Sequence, residues 1–284
     1  MTGVQTCALP ISNLNNFRFR IPTPLFGMGL IEAIPDRALR DNLQREPIRR
    51  RTFGIGGRLS TLPIAGELNT NGNDGTVTRF GWKSQNKSTL LFAAEVYNVE
   101  MGVTNEVFPN ERESSCQLNP TPENHLDFET GKPGDIVAFA SFMRMLDQPT
   151  PAASTPAATN GRSLFDQVGC QLCHTPSFTT GVSSLPALSN RKVDLFSDLA
   201  LHRMGVSLAD GIAQGNAAGD EFRTAPLWGV GQRLFFLHDG RSGDLMQAIQ
   251  AHLSPGSEAN QVIHTFNGLQ PGQKQDILNF LRSL

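Results

Sequence analysis

Cysteine is scarce. Four residues, Cys7, Cys116, Cys170 and Cys173, in a chain of 284 cannot supply the disulfide framework that holds small secreted domains together. Long apolar runs are missing too: no stretch approaches the roughly 20 apolar residues of a membrane-spanning helix, so no integral membrane segment is expected. Nor is there an excess of charge. The formal net charge is −2 and the basic residues are scattered apart from Arg49-Arg50-Arg51, which leaves no phosphate-tracking surface and excludes nucleic acid as a partner. Alternating β-branched runs are few, and the fold class expected is mostly α, loop-rich, with few strands. Finally, no positively charged segment and apolar run form an export signal at the start.

The length allows two ordinary domains. Residues 1–11, MTGVQTCALPI, match the translation of a sequencing adapter. On that reading residues 1–12, Cys7 included, are an artefact, and the natural start with its signal peptide is lost by truncation. Residues 147–160, DQPTPAASTPAATN, cannot bury a hydrophobic face and read as a linker. They separate the remainder of a first domain, 13–146, from a C-terminal domain, 161–284. Helical spacing predicts packed helices over 135–146 and 271–284, the second with Pro271 at its entrance. Leu164, Phe165, Val168 and Leu172 carry a third helical pattern into Cys170–His174. The turn-rich stretch 69–75 lacks the bidentate Glu that a calcium loop needs. A weak internal repeat relates Phe19–Gly27 to Phe222–Gly229, and Phe80-Gly81-Trp82-Lys83 to Phe236-Leu237-His238-Asp239.

Cys170-Gln171-Leu172-Cys173-His174 has the order and spacing of a c-type haem attachment site: two thiols one turn apart add to the two vinyl groups and the adjacent His binds the iron. A thioredoxin-like pair would need a βαβ setting, and a zinc site would need a second Cys/His pair at finger or ribbon spacing. The sequence offers neither. Cys170, Cys173 and His174 are therefore the expected attachment residues of one haem c, with His174 as proximal ligand. Pro186 is a candidate to offer its carbonyl to the other ring N–H of His174. Sixth-ligand candidates are His202, Met204, His238, Met246, His252 and His264. His252 shares one face of a predicted helix over 243–253 with Leu245, Ala248 and Ile249.

In order along the chain, the CxxCH, Leu201-His202-Arg203-Met204-Gly205, Phe222-Arg223-Thr224-Ala225-Pro226-Leu227-Trp228-Gly229 and Leu237-His238-Asp239-Gly240-Arg241 resemble the bacterial di-haem cytochrome c peroxidases, their MauG relatives and the di-haem oxidoreductases. The resemblance covers nearly everything from Arg18 to Leu284. It implies cytochrome c-like haem domains packed face to face, the N-terminal one incomplete, since its CxxCH would lie upstream and no second one occurs here. It makes His252 the first choice for sixth ligand, Met204 the second and His202 the third. It also implies Glu100, in Asn98-Val99-Glu100-Met101-Gly102, as the acid/base residue over the peroxide-reducing haem and Trp82 as an electron relay. By the repeat, Glu100 and His252 would occupy comparable places.

The resemblance implies a periplasmic, peroxidase-like parent with a second haem in its full length. A small electron-donor protein or quinol-linked cytochrome would feed it, and peroxide or another small molecule would be its substrate. The competing expectation is a simple electron-carrier cytochrome without catalytic activity. Cys116 has no evident disulfide partner.

Overall fold

The computed structural model describes residues 18–61, 76–110 and 121–284. Cys7, Cys116 and the stretch 69–75 lie outside them. The described chain is mostly helical, with only two small antiparallel sheets.

Three short helices come first: α1, Met28–Glu32; α2, Asp36–Leu43; α3, Pro47–Phe53. Pro47 sits in the first turn of α3, where its missing N–H costs nothing, and Gly54, with φ 71°, closes it in the left-handed conformation that glycine adopts without strain. The helix α4, Thr89–Met101, starts where the Ser88 hydroxyl accepts the Leu91 N–H. α5, Asp135–Met145, buries Ile136, Ala140 and Met143, as the periodicity predicts.

α6, Pro156–Gln167, begins inside the predicted linker. Thr155 caps it by accepting the Ala158 N–H, and Pro156 fills its first position. The two local signals that read as linker composition are thus a helix start, and only residues 147–155 run outside regular structure. After a short 3-10 turn, Cys170–Leu172, come β1, Phe178–Thr179, and β2, Lys192–Val193, which pair antiparallel, then β3, Leu201–Arg203, and β4, Glu221–Arg223, which do the same. α7, Leu245–Gln250, is capped by Asp244 and is shorter at both ends than the predicted 243–253. α8, Asn260–Asn267, was given by no sequence signal read above. α9, Pro271–Ser283, opens with a capping box between Gln270 and Gln273.

The weak repeat is a structural one. Gly27 and Gly229 both take left-handed φ, 71° and 67°, ahead of a helical turn. The Gly27 N–H reaches the carbonyl just past α5 (Leu146, 3.0 Å), and the Gly229 N–H reaches the one just past α9 (Leu284, 2.7 Å). Phe80 bridges Asn86, and Phe236 bridges Ser242. The caps Ser88 and Asp244 follow at the same spacing. Between the halves the bonds are reciprocal: the Ile21 N–H donates to the His238 carbonyl and the Arg223 N–H to the Trp82 carbonyl, each at 2.8 Å. Two main cores form, and the first is shared: Phe178, Leu188, Val193, Leu195, Leu199 and Trp228 of the C-terminal half pack into it. Leu30, Leu39, Phe92 and Met143 belong to the first, and Phe165, Phe196, Phe266 and Phe280 to the second.

Candidate functional site

In the C-terminal half a largely apolar cavity opens between α6, α7, α8 and α9. Phe165, Leu227, Leu245, Ile249, Val262 and Phe266 contribute to its wall, and Cys170, Cys173, His174 and His252 face it. Gly169, at φ 101°, turns the chain out of α6. The Cys173 and His174 N–H groups then both return to the Cys170 carbonyl, at 3.3 and 2.9 Å. This wraps the motif into a single turn. Both thiols are free, and burial, with the neighbouring Cys173, pushes the Cys170 thiol up to about 12. A thiol held neutral at Cys170 suits conversion to an uncharged thioether and does not suit the thiolate of a zinc site or a redox dithiol.

His174 donates its Nδ1–H to the carbonyl of Phe196 at 3.0 Å. Pro186 does not take that role: the ring N–H goes to Phe196, and the Pro186 carbonyl accepts the Ser189 N–H within the 3-10 turn Pro186–Leu188. Burial, only partly opposed by the Phe196 bond, lowers the His174 pKa to about 4. His252, just past α7, repeats the arrangement: its Nδ1–H donates to the Ala248 carbonyl at 2.8 Å, and burial holds its pKa below the usual range. Both imidazoles are neutral at neutral pH, and both keep the Nε2 lone pair. His252 adds to the lowering at His174, since both rings share one cavity.

The other ligand candidates are placed differently. Met204 lies on the cavity wall in a bridge to Ser257. His202 is fully enclosed and has both ring nitrogens on carboxylates, Nε2 on Asp198 at 3.0 Å and Nδ1 on Glu258 at 2.8 Å, with the Cys173 sulfur 3.6 Å away. Burial opposes its charge, but Cys173 and Asp198 outweigh that and raise its pKa well above the ordinary value. An imidazolium has no lone pair to offer a metal. His238 stacks on Phe222, ring centroids 4.3 Å apart, and meets the edge of Trp82 at 6.3 Å. Trp82 itself donates from Nε1 to the Ile21 carbonyl at 2.7 Å and lines the cavity on the side of the N-terminal half.

Glu100 stands exposed on the last turn of α4. Sequence reasoning missed Glu95 on the same helix. It is 5% exposed, and the amides of Gln85, Asn86 and Gln214 donate to it. Among the described residues no Lys or Arg pairs with it. The repeat also sets Val96, rather than Glu100, in the place that His252 holds in its half, since Ser88 and Asp244 start equivalent helices.

The donor set fits a haem: a largely apolar cavity, two free thiols one turn apart, and two neutral imidazoles each with one nitrogen fixed by a backbone acceptor. The family described as "Di-haem oxidoreductase, putative peroxidase" matches residues 12–284. The chain belongs to this family of haem-based redox proteins. Two solved structures are similar at low identity. A MauG-like protein associated with microbial copper homeostasis is 16% identical, with 94% of this chain and 91% of that one covered at a TM-score of 0.43. Hydrazine synthase of Kuenenia stuttgartiensis is 18% identical, with 59% of this chain covered at a TM-score of 0.37; the chain spans 58% of that one. No curated protein matches the sequence. Among the described residues no helix is long and apolar enough to cross a membrane.

Proposed function

We propose that this chain carries one covalently attached haem c on Cys170 and Cys173, with His174 and His252 as its two axial ligands, and that it serves electron transfer in a periplasmic di-haem peroxidase. The observation that carries the reading is the matched pair of imidazoles, each neutral, each with Nδ1–H tied to a main-chain carbonyl, in one apolar cavity beside the two cysteines. When bound, the haem supplies a one-electron couple, and two imidazoles hold it at lower potential than an imidazole–thioether pair. The protein's part is to fix both rings, exclude water with the apolar wall and give electrons a route. Trp82, which lines the cavity and whose carbonyl accepts the Arg223 N–H of the C-terminal half, is that relay.

For the acid/base role at the substrate we favour Glu95 over Glu100. A buried carboxylate held by three amides and no cation is positioned to take a proton from one peroxide oxygen and return it to the other, whereas Glu100 points to solvent. A small electron-donor protein or quinol-linked cytochrome supplies electrons in this reading, and peroxide is the substrate.

The test is the optical spectrum of the chain matured with haem-attachment machinery, beside His252→Ala. Covalent haem that is low-spin in the wild type and high-spin in the variant is the expected result. An unchanged spectrum passes the ligand role to Met204. The alternative, an electron carrier with no catalytic partner, would show as a holoprotein whose peroxide turnover is unaffected by Glu95→Gln because there is none to lose.

A further inference from the structure

Among the described residues the buried cations have anionic partners, with two exceptions. Arg79 rests on Asp36, Lys83 on Asp210 and Arg50 on Asp198. Arg223 and Arg233 have none. Arg223, on β4, is 6% exposed; its Nε donates to the Gly81 carbonyl at 2.9 Å and its Nη1 reaches the Thr224 carbonyl at a long 3.4 Å. Arg233 follows the 3-10 turn Val230–Gln232, and its Nη2 is buried with no hydrogen-bond partner. Both line the same cavity as Cys170, Cys173, His174 and His252. Burial, and after it the charge of Arg233, lowers the Arg223 pKa to about 10, so no acid relieves the pair. Two guanidiniums facing one apolar space with a donor left over are costly unless anions complete them.

We propose that Arg223 and Arg233 are the paired seat of the two haem propionates, and that through Arg223 this edge of the macrocycle is bonded to the Gly81–Trp82 backbone of the N-terminal half. The inference rests on the haem reading above. A planar guanidinium matches a carboxylate with two parallel donors, and a pair of them matches the two carboxylates of one haem. The thioethers form on the vinyl side of the ring, at Cys170 and Cys173. The arginines thus set which edge faces away from them, toward Trp82. Arg223 gives that edge a bonded link to the other half, since its Nε holds the Gly81 carbonyl and its own N–H holds the Trp82 carbonyl.

A guanidinium beside the haem favours the reduced, less positive state, so its loss lowers the midpoint potential. Arg223 also ties the halves together and its variants risk misfolding, so Arg233 is the site to change. The haem-loaded full chain is compared with Arg233→Gln and Arg233→Lys by potentiometry and by the propionate bending bands in resonance Raman spectra, with haem content measured in each. We expect a lower potential and shifted propionate bands in Arg233→Gln, with the potential returning toward wild type in Arg233→Lys. A haem-loaded Arg233→Gln with both readouts unmoved overturns the inference alone. Saturable perturbation of the wild-type spectrum by free succinate, absent in Arg233→Gln, also overturns it, by showing that the pair takes a soluble dicarboxylate instead. A wild-type chain without covalent haem overturns the haem reading and this inference together.

Discussion

His174 and His252 each give Nδ1–H to a main-chain carbonyl and are buried without a carboxylate, an arrangement that fixes their ionisation as well as their orientation. The folded His174 pKa, about 4, lies below the ordinary histidine value. On acidification the unfolded chain therefore takes up its proton first. In the haem-free chain this contribution to stability is complete above the ordinary histidine range, about pH 6.5, and is lost as pH falls from there toward about 4. His252 acts in the same direction. Urea unfolding of the haem-free protein should show a lower midpoint at about pH 5 than at about pH 7.5, with a smaller drop in His174→Asn. Equal midpoints would mean that the ring is not held neutral. At this scale the single turn that brings Cys170, Cys173 and His174 to one cavity was legible, because the motif has a fixed local spacing. The Phe196 carbonyl was not, since every residue has a carbonyl and only the chain path selects one. Glu95 escaped for another reason. The first turns of α4, Thr-Leu-Leu-Phe-Ala-Ala-Glu-Val, are apolar nearly all round, so no stripe marks the inward side. Glu100 sits about 140° further round the helix, where the neighbouring chain no longer covers it.

α6 and α9 show why small residues matter to this architecture. A Cβ on Gly161 would come within 1.9 Å of the Asp276 carbonyl oxygen, so the two helices touch backbone to backbone there. Gly29 meets the Arg144 carbonyl of α5 in a comparable way, at 2.0 Å. Gly161→Ala should force α6 and α9 apart and cost on the order of 3 kcal/mol of unfolding free energy. Gly272→Ala, where nothing lies within 4 Å, should leave stability nearly unchanged. Chemical denaturation of the two variants side by side decides it: similar losses, or none at Gly161, would refute the close approach. Helices whose apolar spacing and caps agree, α5 and α9, could be read directly. α6 was read late because its first turn, Pro-Ala-Ala-Thr-Asn, has linker composition and becomes a helix start only through the Thr155 cap. α8 has a buried face of Val262, Ile263 and Phe266, but Ala259 stands at its start and no side chain caps it.

The whole molecule is organised by its internal repeat, and the relay proposed for Trp82 belongs to this scale. Trp82 touches the cavity, contacts the His238 ring and is held by Ile21. Trp82→Phe keeps a ring there but loses the Ile21 bond and the readily oxidised indole. The expected outcome is slower electron exchange, in stopped-flow experiments, between the haem proposed for the C-terminal half and the N-terminal half proposed to act on substrate, with the haem spectrum unchanged. Exchange at the wild-type rate would remove Trp82 from the route. The mostly helical class and its scarcity of strands were visible from composition, and the repeat was visible in two short blocks. Their mutual bonding was not, because it joins residues far apart in sequence and much of it runs through main-chain carbonyls that no residue type marks.

The Ile21–His238 and Arg223–Trp82 bonds are equivalent under that repeat and run in opposite senses across the join. A displacement that stretches one is carried by the fold to the other. The two bonds therefore act as opposed couplings across one seam, and the shared apolar core with the Lys83–Asp210 and Arg58–Glu221 pairs keeps that seam closed when either bond is lost.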